Sequence, residues 1–454
     1  MKKTFLVLLV LIMLSATVFA GGANQQQPSS GTQAAPAAAP AAAAPAKVQI
    51  RAAYWGDTGR FTLYDNIIKE FEKAFPNVTV VREPVSWNDY WDKLSVQVAG
   101  GNAPDFLSMH PQYAADYIPR GVCEVLDPYV ANGTLSFNGW AQSAIDTGKF
   151  DGKVYMVPMG ITFSAAFINT GVFKQLGVTP PGFEWSWDDA KTIGQQVRQA
   201  FDAQGKKDSW MLNSQITNLN SWRYFVRQHN REIYDAQGNI QATQQDVEDW
   251  FTMWKQLQDL GVTPDAATGQ EFQNATLENS LFAMDKALIT WVPVNQYWLY
   301  CNTFPNKEIG IIRHAGSKGM PYVGEFPEGA HYAVYAKTTP EKKLAAVQLL
   351  NFWLNDPKSL VLYKLDQGVP ANTPVLQQYV IPVLDKYQQA AVNFVNTLSQ
   401  ISRATIYPPP GASEIDALFL SKGQEVQFGK APAVAAKEFY DQAVAIRAKA
   451  KAGN

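Results

Sequence analysis

From Lys47 onward, short apolar runs alternate with amphipathic helical stretches, and that alternation restricts the chain to an α/β fold. Val48-Gln49-Ile50-Arg51-Ala52-Ala53-Tyr54-Trp55 reads as a strand ending in the turn Gly56-Asp57-Thr58-Gly59. Tyr64, Ile67, Ile68, Phe71 and Phe75 then fall on one face of a helix that Pro76-Asn77 ends. Val78–Val81 is the next strand, Asn88-Asp89 is the expected cap of a second helix running to Ala99, and residues 105–109 form a third strand. Two strand-helix-strand crossovers in succession imply a parallel sheet with helices on its faces. Further on, Val247, Trp250, Phe251, Trp254 and Leu257 share a helical face, as do Leu344, Val347, Leu350 and Leu354. Trp250, Trp254 and Trp353 therefore belong to the core. The polar stretch Asp235-Ala236-Gln237-Gly238-Asn239 lacks the alternating acids of a calcium loop and reads as a tight turn.

A chain of 454 residues predicts two or three domains of about 100 to 200 residues each. With 46% hydrophobic and 17% charged residues it builds large cores, which excludes wholesale disorder. A net charge of −2 offers nucleic acid no electrostatic footprint. The four histidines, at 110, 229, 314 and 331, are not at metal-ligand spacing, so neither metal nor cofactor is expected. P-loop, paired-glycine, His-Glu-x-x-His and Gly-x-Ser-x-Gly fingerprints are missing, and no enzymatic activity is expected. Carboxylate pairs for glycoside hydrolysis leave no sequence signature, so a secreted glycosidase or lyase acting on oligosaccharides stays open as an alternative. The unusual resource is aromatic: 13 Trp, 19 Tyr and 24 Phe.

Lys2 and Lys3 precede the apolar run Phe5–Leu14, and small residues follow to Ala20, the pattern of a cleavable signal peptide over residues 1–20. That run is shorter than the roughly 20 residues a membrane-spanning helix needs. Residues 21–46, rich in Ala, Pro, Gln and Ser, read as a flexible linker. With no cysteine near the cleavage point to carry a lipid, the mature chain is expected free in the periplasm. Cys123 and Cys301 permit one disulfide in an oxidising compartment, or stay two buried thiols.

An ordered series of short segments carries a family resemblance. After the secretion signal come Trp55-Gly56-Asp57, Pro104-Asp105-Phe106, Gly121-Val122 and the run from Phe150-Asp151-Gly152 to Val157-Pro158. Phe167-Ile168-Asn169, Trp187-Asp188-Asp189, Phe282-Ala283-Met284-Asp285, Glu328-Gly329-Ala330-His331, Asn351-Phe352-Trp353 and Gly368-Val369-Pro370 follow. In this order the chain resembles the extracellular solute-binding proteins of ABC importers, within them the carbohydrate-binding family that includes maltose-binding protein. The resemblance implies a periplasmic binding protein-like fold: two α/β lobes around a ligand cleft, joined by hinge segments. Residues 47–157 plus 334–395 would form lobe 1, and residues 160–329 plus 400–454 lobe 2. Cys123 and Cys301 would then lie on opposite lobes, where a disulfide would restrain the hinge, so two free thiols are implied. Many members carry a lipobox cysteine; this chain does not.

A pyranose has hydroxyl-crowded edges and flatter C–H faces, so its site needs aromatic faces with convergent donors and acceptors, on loops at the carboxyl ends of strands. Trp55 and Asp57 end the first strand and rank first. His110 and Gln112 end the third, Thr162 follows the first crossover, Trp222 lies in an aromatic segment, and Trp291 and Asn295 follow a strand-like run. Tyr322, His331, Tyr407 and Glu414 occupy segments that resemble family contact regions. The expected function is carriage of a sugar or oligosaccharide, unaltered, to the permease subunits of an ABC importer, by a monomer that closes about its hinge. A binder of the same fold for a non-sugar solute is the remaining alternative. Trp55→Ala is expected to weaken binding while leaving the melting temperature nearly unchanged.

Overall fold

The computed structural model describes residues 46–273, 275–319, 324–403 and 406–452; the expected signal peptide and nearly all of the linker lie outside these residues. The first strand, β1 (Val48–Trp55), leads into helix α1 (Thr58–Ala74), with Asp57 as its N-cap accepting from the Arg60 amide. Tyr64, Ile67, Ile68 and Phe71 are its buried stripe, and the helix stops at Phe75. Strand β2 (Val78–Val85) and helix α2 (Trp87–Ala99) follow, then β3 (Phe106–Met109) and α3 (Pro111–Tyr117). The cap of α2 is Ser86, two residues before the expected Asn88-Asp89, because its hydroxyl reaches the Asp89 amide at 3.3 Å.

A short strand, β4 (Met156–Pro158), completes the first run, and the chain passes into a second sheet. That sheet takes β5 (Ser164–Asn169), β6 (Trp210–Leu212), β7 (Ala287–Pro293) and β8 (Ile309–Ile312). Its helices are α4 (Trp187–Ala203), α5 (Leu219–Gln228), α6 (Gln244–Asp259) and α7 (Tyr297–Thr303). The chain then returns through β9 (His331–Val334), α8 (Pro340–Asn355) and α9 (Pro357–Tyr363). It finishes with α10 (Lys386–Ile401), α11 (Ala412–Gln427) and α12 (Pro432–Ala452). Among the described residues no helix is long and apolar enough to cross a membrane.

Strand order is β2-β1-β3-β9-β4 in one sheet and β8-β5-β7-β6 in the other. The expected parallel pairing holds for β1 with β2 and β3. β9 runs antiparallel to both β3 and β4, since it re-enters from the opposite lobe, and β5 is antiparallel to β7 and β8. Alternation along β5 sends Ala165 and Phe167 into the cluster that also fills the first lobe, while Ala166 and Ile168 face a second cluster built on Trp222, Trp250, Trp254 and Phe419. Trp250, Trp254 and Trp353 are buried as expected; Leu344 is not, and stands exposed at the start of α8. Helix α10, most of which the expected division gave to lobe 1, packs against α7 of the second sheet, with Tyr387 on Tyr297 and Phe394 on Phe183. Cys123 and Cys301 are both buried free thiols.

Three chain segments cross between the sheets and touch backbone to backbone. Ile161 bridges to Val369 and Thr162 to Glu328. An added Cβ on Gly160 would lie 2.6 Å from the Gly368 carbonyl carbon, and Gly329 and Gly368 hold φ of 130° and 128°. Only glycine fits both the close approach and those angles.

Candidate functional site

The crossing segments form the floor of a cleft with about 980 Å³ of atom-free space, including space open to solvent. One wall comes from the end of β3 and the start of α3: His110, Pro111 and Gln112, with Thr147 and Pro158 beside them. His110 caps α3, its ring nitrogen Nδ1 taking the Gln112 amide at 3.3 Å. The opposite wall is Leu219, Asn220 and Arg223 of α5, Tyr234 on the turn after it, Tyr407, and Asp416 of α11. Phe326, Pro327, Glu328, Gly329 and His331 run along the floor. The walls meet where the Gln112 side-chain amide donates to Asp416 at 3.1 Å.

The electrostatics follow from burial. Glu328 loses water, which pushes its carboxyl up to about 7 against the opposing pull of Arg223 and Tyr224. Burial likewise raises Asp416 and lowers His110 to about 4 and His331 to about 3, so both rings are neutral at pH 7. The His331 ring lies 3.1 Å from the Gly329 carbonyl and 3.0 Å from the Thr147 hydroxyl. The Arg223 guanidinium is engaged: it reaches Glu232 at 3.2 Å, donates to the Ile406 carbonyl at 2.9 Å, and lies 4.4 Å over the Phe326 ring. Three polar atoms on lining residues, the hydroxyls of Tyr234 and Tyr407 and Oε1 of Glu328, are closed from solvent and have no hydrogen-bond partner among the described residues. Unpartnered acceptors and donors on residues that line a cleft beside apolar rings are groups a polyhydroxylated ligand can partner.

Of the residues expected at the site, His110, Gln112, His331 and Tyr407 line this cleft. Thr162 and Asn295 hold the crossing segments instead: the Asn295 amide nitrogen reaches Thr162 at 3.3 Å, and its side chain donates to the Asp366 carbonyl at 2.8 Å. Trp55 is only 5% exposed and packs edge-on against Trp87 at 4.7 Å and Tyr90 at 5.1 Å, because β1 turns this side chain onto α2. Asp57 spends its carboxylate capping α1. Trp222 lies on the inward face of α5, stacked on Phe419 at 5.0 Å with its ring N–H on the Asp246 carbonyl. Trp291 packs toward Trp254 and His314. Glu414 is exposed; Asp416, two residues along α11 and so on the other side of the helix, takes the inward position. Tyr322 lies outside the described residues. Arg223, Tyr234, Glu328 and Asp416 are the lining residues that sequence reasoning missed. Arg223 adjoins the aromatic segment and Glu328 begins the crossover motif, but neither position announces which way its side chain points.

Two α/β lobes over a cleft, joined by crossing segments that meet at glycines, define the periplasmic solute-binding class of fold. The family model for bacterial extracellular solute-binding proteins matches residues 66–395, well over half of the chain, and the protein belongs to that family. Proteins of Brucella abortus, named as candidate binding proteins, are 26% identical over 164 residues, 34% of this chain and 38% of theirs, so the match spans little more than a third of their length. The multiple sugar-binding protein of Streptococcus mutans is 24% identical over 261 residues, 56% of this chain and 59% of that one. A solved periplasmic oligogalacturonide binding protein from Yersinia enterocolitica, in complex with saturated digalacturonic acid, has a TM-score of 0.76 and 20% identity over 89% of this chain and 100% of that one.

Proposed function

We propose that the protein is a periplasmic saccharide-binding protein that closes around a sugar or oligosaccharide and hands it, unaltered, to the permease subunits of an ABC importer. The observation that carries this reading is the cleft itself, where unpartnered hydroxyl and carboxylate atoms stand beside Phe326 and Tyr407 and both lobes contribute lining. A sugar's hydroxyl edge suits the polar atoms and its C–H face suits the rings. Membership in an extracellular solute-binding family and the likeness to a multiple sugar-binding protein support both the ligand class and the location. The pattern of residues 1–20 supports export through a cleavable signal peptide.

Closure follows from the geometry. Contacts that exist only when both walls meet, such as Gln112 with Asp416, favour the closed form, and a ligand touching both walls shifts the population further. Titration calorimetry against a panel of neutral, amino and acidic mono- and oligosaccharides tests the reading: binding of at least one member is expected, and binding of none overturns it. Chromatography of the recovered ligand should show it uncut; cleavage would replace the carrier with a glycosidase or lyase, for which Glu328 and Asp416 are the carboxylates to examine.

A further inference from the structure

We infer that Glu328 is the specificity-determining residue of the cleft, selecting saccharides that present hydrogen-bond donors, neutral or amino sugars, over uronic acids. The inference rests on the saccharide reading and sharpens it.

Three observations carry it. First, Glu328 lines the cleft and carries an acceptor atom, Oε1, that is closed from solvent and has no partner among the described residues. A ligand hydroxyl or ammonium placed there supplies the missing donor, whereas a ligand carboxylate sets acceptor against acceptor. Second, the backbone that carries it is held in place. Its amide donates to the Thr162 carbonyl at 2.8 Å across the crossing segments. The next residue, Gly329, is held at φ 130°, where an added Cβ would stand 3.0 Å from the Gly160 carbonyl oxygen. The carboxylate is mounted on backbone held across the crossing segments, which is the preorganisation that discrimination requires.

Third, among the described residues the lining of the cleft offers no spare cation for an acidic ligand. Arg223 and Tyr224 come from α5, His331 from β9, and Tyr407 and Asp416 from the far wall. Arg223 is occupied by Glu232, the Ile406 carbonyl and the Phe326 face. His331 is neutral, as is His110 on the opposite wall. Asp416 adds a second acid, held by Gln112. A uronate entering this lining meets two carboxyl groups and one committed guanidinium.

The test is calorimetry on the full mature chain at about pH 8, using maltotriose, a glucosamine disaccharide and digalacturonate, with wild type, Glu328→Gln and Glu328→Asp. Wild type should favour the best neutral or amino saccharide over digalacturonate by at least about a hundredfold, and Glu328→Gln should shrink that ratio by about tenfold or more. Glu328→Asp, which keeps the charge, should retain most of the discrimination. Should the Gln variant fail to fold, the wild-type pH series with the neutral ligand decides: affinity for maltotriose should rise about threefold or more from about pH 6 to about pH 8 as Glu328 loses its proton, and a flat profile overturns the inference. Preference of wild type for digalacturonate, or an unchanged ratio in a folded Gln variant, also overturns it while leaving the saccharide reading intact. Failure of wild type to bind any of the three and the wider panel overturns both.

Discussion

The wall that β1 makes with α2 and the wall of the cleft are both crowded with aromatic rings, yet only one of them faces empty space. In the first, Trp55, Trp87, Tyr90 and Trp91 pack at centroid distances of 4.7 to 5.5 Å, edge to face except for the tilted Trp55–Trp91 pair, and the Tyr90 hydroxyl is spent on the Ser108 carbonyl at 2.6 Å. Trp91 does leave its ring N–H unpartnered, but its ring is stacked 3.9 Å from Tyr113 and does not line the cleft. In the second, the unpartnered Tyr234 and Tyr407 hydroxyls and Oε1 of Glu328 belong to residues that line the cleft. Aromatic richness therefore does not mark the site. An unpartnered polar atom on a cleft-lining residue does.

The comparison breaks most visibly at Trp55. If its ring is core, Trp55→Ala leaves a cavity among Trp87, Tyr90 and Trp91 and should cost about 3–5 kcal/mol of stability, the reverse of the sequence expectation. The affinity of the protein that remains folded should change by less than about threefold, since no part of Trp55 lines the cleft. Denaturant melts paired with calorimetry check this. A variant that melts normally and binds poorly would put Trp55 back in the site.

Acid titration tests the buried ionisable groups of the cleft lining, Glu328, His110 and His331, together with buried His314 nearby. Burial lowers His110 to about 4 and His314 and His331 to about 3, from 6.5. The unfolded chain takes up these protons first, so their stabilising contribution is complete above 6.5 and is lost as pH falls through that value toward the folded ones. Glu328 has the opposite sign. Its folded value of about 7 lies above the ordinary 4.5, so the folded state holds that proton longer, and its contribution is present below 4.5 and lost as pH rises toward 7. Three histidines outweigh it, and melts of the empty protein should lose stability steadily below about pH 6.5. Glu328→Gln removes the opposing group and should steepen that loss; an unchanged slope would mean that Glu328 is not held protonated in the cleft.

Sequence was legible where local physics decides. Strand-helix alternation, the stripe on α1 and the face of α6 follow from periodicity, and the stop at Pro76 from proline's missing donor. The crossing segments at Gly329 and Gly368 were visible as motifs, though not the backbone contacts with the Gly160 segment that make them glycines. The site was legible only in part, because placing a residue at a strand end says nothing of what its side chain meets. His110 and Trp55 both end strands of one sheet and both meet Trp87 of α2, yet only His110 also lines the cleft. Trp222 and Arg223 are neighbours on α5, and a rotation of about 100° sends one into the core and the other to the cleft. The antiparallel entry of β9 and the attachment of α10 to the second sheet depend on long-range pairing, which no local pattern encodes.

Tyr407→Phe gives the smallest effect and the finest division between the two regions. Its ring packs against the apolar cluster while its hydroxyl is closed from solvent without a partner, so the empty protein carries a desolvated group for no return. Removing only that oxygen should leave the melting temperature unchanged or slightly higher, and it should weaken saccharide binding about five- to tenfold, the worth of one hydrogen bond of about 1–1.5 kcal/mol. The matching change in the ring cluster, Tyr90→Phe, strands the Ser108 carbonyl and should do the reverse, lowering stability by about 1–2 kcal/mol with affinity intact. Melting curves and calorimetry on both variants read the two signs directly. If Tyr407→Phe destabilises the empty protein and spares binding, its hydroxyl is structural, and the rule that separates cleft from core fails at the residue where it is most finely drawn.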